Sequence, residues 1–259
     1  KKVLVLEAHS KPGGAAHSFE INGYKFESGP SLWSGIGSWP TTNPLGQVLK
    51  ALDQKVELIK YQDWNVQIPE GDFTIGVGDN RFNDQINFIS GEEAVKEWAN
   101  FNQVIKPIGD AANAIPLLAL NQNKETVFQL LKRSKTVLKH LKSFKYLGGA
   151  FGSLVDDHLK DPFLRNWVDL LCFLISGLTK DETNAAAMAT LFNDWFRTNA
   201  YLEYPKGGSA AIVNALLNGF YSFGGQLRVN SKVEQIIVNK NKAVGIKLKN
   251  GEKIFANHI

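Results

Sequence analysis

The chain has 259 residues, 44% of them hydrophobic and 21% charged, with a formal net charge of +4. This composition is ordinary for a globular protein, and the length suits one large domain or two ordinary ones around a sizeable core. The single cysteine, Cys172, excludes a disulfide framework, a CxxC pair and a thiolate-rich metal site, and no apolar run reaches the ~18 residues of a transmembrane helix.

The opening run Lys1-Lys2-Val3-Leu4-Val5-Leu6-Glu7 predicts a buried strand of a parallel sheet, closed by an acid. In a Rossmann-type dinucleotide domain such an acid accepts the ribose hydroxyls, because a carboxylate is acceptor-only and takes two donors at once. The glycine fingerprint of that domain would stand ~20 residues earlier, so the chain reads as truncated at its front. Next come Lys11-Pro12-Gly13-Gly14-Ala15-Ala16, in which adjacent glycines let a backbone approach an anion closely. Asn22-Gly23 between Phe19 and Phe26 predicts a hairpin, and Gly29-Pro30 a rigid turn before Ser31.

An acid, a short gap, Pro12-Gly13-Gly14, the aromatics Phe19, Tyr24 and Phe26, the acid Glu27 and then Gly29-Pro30 together resemble the phytoene desaturase and carotenoid isomerase flavoproteins. The resemblance implies that Glu7 holds the ribose of FAD and that Gly13 and Gly14 approach its pyrophosphate, with Lys11 a further cofactor contact. It sets Gly29, Pro30 and Ser31 near the isoalloxazine. Ala15 stands where many relatives carry Arg, which is similar to the isomerase side of the family, and Glu27 stands where many carry Asp.

Leu45, Val48, Leu49 and Leu52 recur at helical spacing. Val56–Ile59, Val66–Ile68, Phe73–Ile75 and Ile86–Phe88 read as short strands, and Ser90-Gly91-Glu92-Glu93 as a capping-box start of a helix. Helices then dominate to about Asn199, with a break expected at Phe151-Gly152 and Pro162 opening a helix at its first turn. The aromatics Trp33, Trp39, Phe151, Trp167, Phe173, Phe192, Trp195 and Phe196 are open to two readings, core packing or the wall of a channel for a long apolar molecule. Cys172, inside an apolar run, reads as a buried small hydrophobe.

Residues 125–145 form a basic amphipathic pattern. Seven Lys or Arg and one acid lie between Lys124 and Lys145, opposite Val127, Leu130, Leu131, Val137, Leu138, Leu141 and Phe144. Such a helix lies either in a membrane interface or on the protein's own surface. No nucleic-acid reading motif accompanies it.

Tyr204-Pro205-Lys206-Gly207-Gly208, an apolar helix, Gly224-Gly225, then Asn230-x-x-Val233-x-x-Ile236 is similar to the stretch where the same flavoproteins re-enter their FAD domain. It implies that the backbone of Val233 meets the adenine. Lys206 is either a charge near the flavin or a solvated loop lysine. Strands at Gln226–Asn230, Val233–Val238 and Ala243–Leu248 follow, with a turn at Asn250-Gly251.

The expected fold is therefore α/β, an incomplete Rossmann-type FAD-binding domain (residues 1–55 and 204–259) with an inserted strand-plus-helix substrate domain (56–203), and it lacks both the N-terminal glycine-rich motif and the C-terminal end. The resemblance implies an FAD-dependent enzyme acting on a carotenoid, by cis–trans isomerisation of a poly-cis carotene or by desaturation or saturation. A flavin-free carotenoid or lipid carrier is the reading of another class. By analogy the protein is peripheral to a membrane, on the cytoplasmic or the thylakoid side. The scattered histidines lack metal-ligand spacing, and no side chain is assigned as catalytic acid or base.

Overall fold

The computed structural model describes residues 2–30, 32–41, 43–78, 81–114, 143, 146–197 and 199–259. The helix expected over residues 125–145 lies outside the described residues apart from Ser143. The chain divides into two compact units, Lys1–Tyr61 with Leu202–Ile259, and Gln62–Tyr201.

In the first unit, β1 (Leu4–Leu6) pairs in parallel with β8 (Gln226–Arg228), Val5 opposite Leu227. The expected parallel pairing is present, but the expected burial is not: Leu4 and Val5 are 42% and 44% exposed, because β1 has a partner on one edge alone among the described strands. β2 (Ser18–Ile21) and β3 (Tyr24–Glu27) form the hairpin expected at Asn22-Gly23. Both turn residues have positive φ, 52° and 82°, as the tight turn that matches strand twist requires. β4 (Leu58–Tyr61) pairs antiparallel with β7 (Leu202–Pro205). β9 (Val233–Asn239), β10 (Lys242–Leu248) and β11 (Lys253–Phe255) form an antiparallel meander.

Two helices complete this unit. α1 (Pro44–Ala51) starts where its sequence requires: Asn43 Oδ1 accepts the N–H groups of Leu45 and Gly46, and Pro44 occupies the first turn. α7 (Ser209–Ser222) packs Ile212 and Ala215 on Ile36 and Leu49 of the core, with Trp33, Leu45, Val56, Leu58 and Leu216 around them. Gly224, at φ 78°, follows α7 and donates to the Tyr221 carbonyl, close to the left-handed stop that the Gly-Gly pair predicts.

The second unit holds the hairpin of β5 (Asp63–Ile68) and β6 (Gly71–Gly76) and the helices α2 (Arg81–Ser90), α3 (Glu92–Ala114), α4 (Phe151–His158), α5 (Pro162–Ser176) and α6 (Ala185–Trp195). Three local expectations are corrected. Ile86–Phe88 is helical rather than a strand, since Phe82 and Ile86, one turn apart on α2, are both buried while Phe88 is 85% exposed. Three residues of alternation were too few to reveal the longer helical period. Ser90 ends α2 and donates to Asp161 Oδ1 instead of capping α3. α4 runs through Gly152 unbroken. That glycine is required by contact, because a Cβ would stand 1.9 Å from Asp181 Oδ1.

α5 opens with Pro162 in the first turn, as expected, and the structure adds Asp161 as its cap. Phe82, Trp98, Phe101, Phe151, Phe163, Trp167 and Phe192 form one buried aromatic cluster, with ring centroids 5.0 to 6.4 Å apart. Cys172 is fully buried, as expected, and burial pushes its thiol up to about 11.

Candidate functional site

The first unit carries a cleft of about 400 Å³, lined among others by Val5, Glu7, Pro12, Gly13, Trp33 and Ile212. It sits where the end of β1 meets the glycine turn and the buried face of α7. The lining is chiefly aliphatic and aromatic, with Glu7 as its one carboxylate.

Glu7 lies just beyond β1, where three backbone bonds tie residues 7–9 to the returning chain. Its N–H donates to the Arg228 carbonyl at 3.0 Å, its carbonyl accepts the Ser231 N–H at 2.8 Å, and the His9 carbonyl accepts the Asn230 N–H at 2.9 Å. Glu7 Oε1 accepts the His9 N–H at 2.7 Å, and the second oxygen accepts nothing from the described residues. Val233, the first residue of β9, is 39% exposed and lies two residues from this junction. The ribose and adenine candidates thus reach one neighbourhood from opposite ends of the chain.

The glycine turn follows. Gly13 and Gly14 have φ of 118° and 55°, a left-handed pair that L side chains rarely adopt. A Cβ on Gly13 would press on Val213 of α7 at 3.0 Å, while nothing lies within 4 Å of the Cβ position of Gly14. The amides of Gly13 and Gly14 donate to no acceptor among the described residues. Lys11 is exposed, and its Nζ donates to the Ser18 carbonyl at 3.3 Å.

The turn is tied to the next candidate stretch. His17 Nδ1 donates to the Gly14 carbonyl at 2.9 Å, and His17 Nε2 accepts from Ser28 Oγ at 3.1 Å. A Cβ on Gly29 would stand 2.3 Å from the Ala15 carbonyl oxygen, so only glycine permits this approach. Pro30 accepts Ser209 Oγ at 3.1 Å. Ser31 lies outside the described residues. Lys206 is exposed and donates to Glu57 Oε1 at 2.8 Å, so it is a paired surface lysine rather than a free charge in the cleft.

Glu27 accepts the Ser209 N–H at 2.9 Å and Ser18 Oγ at 3.1 Å. Burial raises its pKa, but the hydrogen bonds from Ser209 and Ser18 outweigh that and hold it below the ordinary value. Glu203 is fully buried, and its oxygens accept the N–H groups of Ile36 at 2.6 Å and Gly37 at 3.0 Å. Sequence reasoning passed over Glu203 and Ser209. The available signal was an acid between Leu202 and Tyr204 in a strand otherwise fit for a core.

The aromatic candidates separate. Phe151, Trp167, Phe192 and Trp195 are core, Phe196 packs on Trp98 and Phe192, and Trp39 and Phe173 are 63% and 59% exposed. Trp33 lines the cleft, and its buried Nε1 has no acceptor among the described residues.

Comparison with known proteins joins these observations to a family. The chain is 28% identical over its whole length to the chloroplastic prolycopene isomerase of Daucus carota, spanning 41% of that protein. It is 27% identical to that of Arabidopsis thaliana, spanning 43% of it. It is 22% identical over 98% of its length to the lycopene-forming phytoene desaturase of Pantoea ananas, spanning 49%. Among solved structures, an oxidoreductase from Methanosarcina mazei shares its fold with a TM-score of 0.65 at 18% identity, over 99% of this chain and 52% of that one. The chain thus spans less than half the length of these curated relatives. A family model for the flavin-containing amine oxidoreductases matches residues 1–259, and the chain belongs to that family.

Proposed function

We propose that this chain forms part of an FAD-dependent enzyme that converts a poly-cis carotene to another geometric isomer. The observation that carries the reading is one cleft lined by Glu7 and Gly13, with Gly29 packed on Ala15 in the adjoining turn and Val233 two residues from the junction at Glu7. FAD, when bound, supplies the redox chemistry, while the protein supplies orientation and environment.

The residues present suit such a group. Glu7 keeps one carboxylate oxygen for a hydroxyl donor. The Gly13 and Gly14 amides have no acceptor, and the space over Gly14 is open, as an anion-binding turn requires. Lys11 adds a positive charge beside the turn. In this reading Lys1–Tyr61 and Leu202–Ile259 serve the cofactor, and Gln62–Tyr201 serves the substrate.

Isomerisation is preferred to desaturation because identity is 28% to the prolycopene isomerases of carrot and Oncidium and 22–23% to phytoene desaturases. Ala15, where the desaturase pattern carries Arg, agrees with it. A carotene dissolves in lipid, so we also assign residues 125–145 a peripheral membrane contact, on the plastid side in view of the chloroplastic relatives. No described helix is long and apolar enough to cross a membrane.

Incubation with FAD and liposomes holding a poly-cis carotene tests the reading. A product of unchanged mass and altered retention is expected. A product lighter by hydrogen would make desaturation the activity. Retained pigment with no product and no flavin would point to a carrier.

A further inference from the structure

Residues 28–37 are held at both ends by carboxylates that reach the same returning stretch. At the near end, Glu27 accepts the Ser209 N–H, and Ser209 Oγ in turn holds the Pro30 carbonyl. Gly208 makes the room, since a Cβ there would stand 1.8 Å from Glu27 Oε1. At the far end, Glu203 accepts the amides of Ile36 and Gly37, and its own N–H donates to the Trp33 carbonyl at 2.7 Å. Between these clamps lie Gly29, packed against Ala15, and Trp33, a wall of the cleft.

The chemistry at position 203 is more than β7 needs. A strand residue with no exposed surface is served by Val or Leu, and burying a carboxylate costs free energy unless hydrogen bonds compensate. Neither Glu203 nor Glu27 forms an ion pair among the described residues. What a carboxylate adds at 203 is the fixation of two adjacent amides that no aliphatic side chain could hold.

We propose that Glu203, with Glu27, is a positioning residue that sets the 28–37 segment, and with it the Trp33 wall and the Gly29-Pro30 turn, in the shape in which the flavin is held. The proposal rests on the FAD reading above. Its residues touch neither the reacting atoms nor, directly, the cleft.

The test compares the wild-type chain, Glu203→Gln and Ser209→Ala at a temperature well below all their melting points. FAD affinity, the visible absorption band of the bound flavin, and amide exchange at Ile36 and Gly37 without FAD are measured. Glu203→Gln turns one acceptor into a donor that faces an N–H. Faster exchange at Ile36 and Gly37, a shifted flavin band and about tenfold weaker FAD binding are expected, the equivalent of ~1.4 kcal/mol. Ser209→Ala removes one neutral bond and buries no charge, so it serves if Glu203→Gln does not fold. It is expected to shift the band and weaken binding about threefold. A lower melting point with unchanged band and affinity would make both residues merely structural and overturn the proposal. A wild-type chain that holds no FAD would overturn the flavin reading itself, and the proposal with it.

Discussion

The Ala15 carbonyl oxygen occupies the space where Gly29 would carry a Cβ, 2.3 Å from that position. This contact locks the glycine turn to the Gly29-Pro30 turn, and neither partner can withdraw cheaply because both are backbone. Gly29→Ala is expected to destabilise the chain by about 1–3 kcal/mol, as overpacking does, and to weaken flavin binding more than that loss of stability explains. Denaturant midpoints and FAD titration read the two effects.

Phe82 and Phe88 sit on the same helix with opposite environments, 1% and 85% exposed. Phe82→Ala is expected to cost about 3–5 kcal/mol, and Phe88→Ala to stay within about 0.5 kcal/mol. Equal costs in urea titration would contradict the helical placement of the two side chains on opposite faces.

Glu27 has its pKa held below the ordinary 4.5 by the hydrogen bonds from Ser209 and Ser18, which outweigh burial. A depressed folded-state value means that its contribution is complete above the unfolded value near 4.5 and is lost as pH falls through the lower folded value. Wild-type stability is therefore expected to fall on acidification below that point. Glu27→Gln, less stable at neutral pH, should show a flatter acid limb in melting temperature against pH.

Cys172 behaves in the opposite sense. Burial raises its thiol from 9.0 to about 11, so the native state keeps the proton longer than the unfolded chain. Its contribution is full below about 9 and declines as pH rises toward 11. The thiol is expected to resist an aromatic disulfide reagent at pH 8 in the native chain and to react at once in denaturant, since the thiolate is the nucleophile.

Lys132, Lys135, Lys139 and Lys142 supply four of the six basic residues of the 125–145 amphipathic pattern. Reversing all four is expected to abolish sedimentation with anionic liposomes. Unchanged sedimentation would remove the assigned membrane contact.

The sequence alone determined the local devices, because each is chemistry among neighbours. Asn22-Gly23 makes its turn through two left-handed residues, Pro162 opens a helix at its first turn, and Pro12-Gly13-Gly14 carries the family pattern within a few residues. It also determined that Cys172 is buried, because an apolar run surrounds it. Only the tertiary structure decided which distant residues meet. Glu203 lies 167 and 166 positions from Ile36 and Gly37, and Ser209 lies 182 from Glu27. No local period records such pairings. The glycines at 29, 152 and 208 likewise gained their reason only from what folds against them. β1 shows the converse: its apolar residues predict a buried strand, yet burial depends on what pairs with both edges, which no strand's own sequence contains.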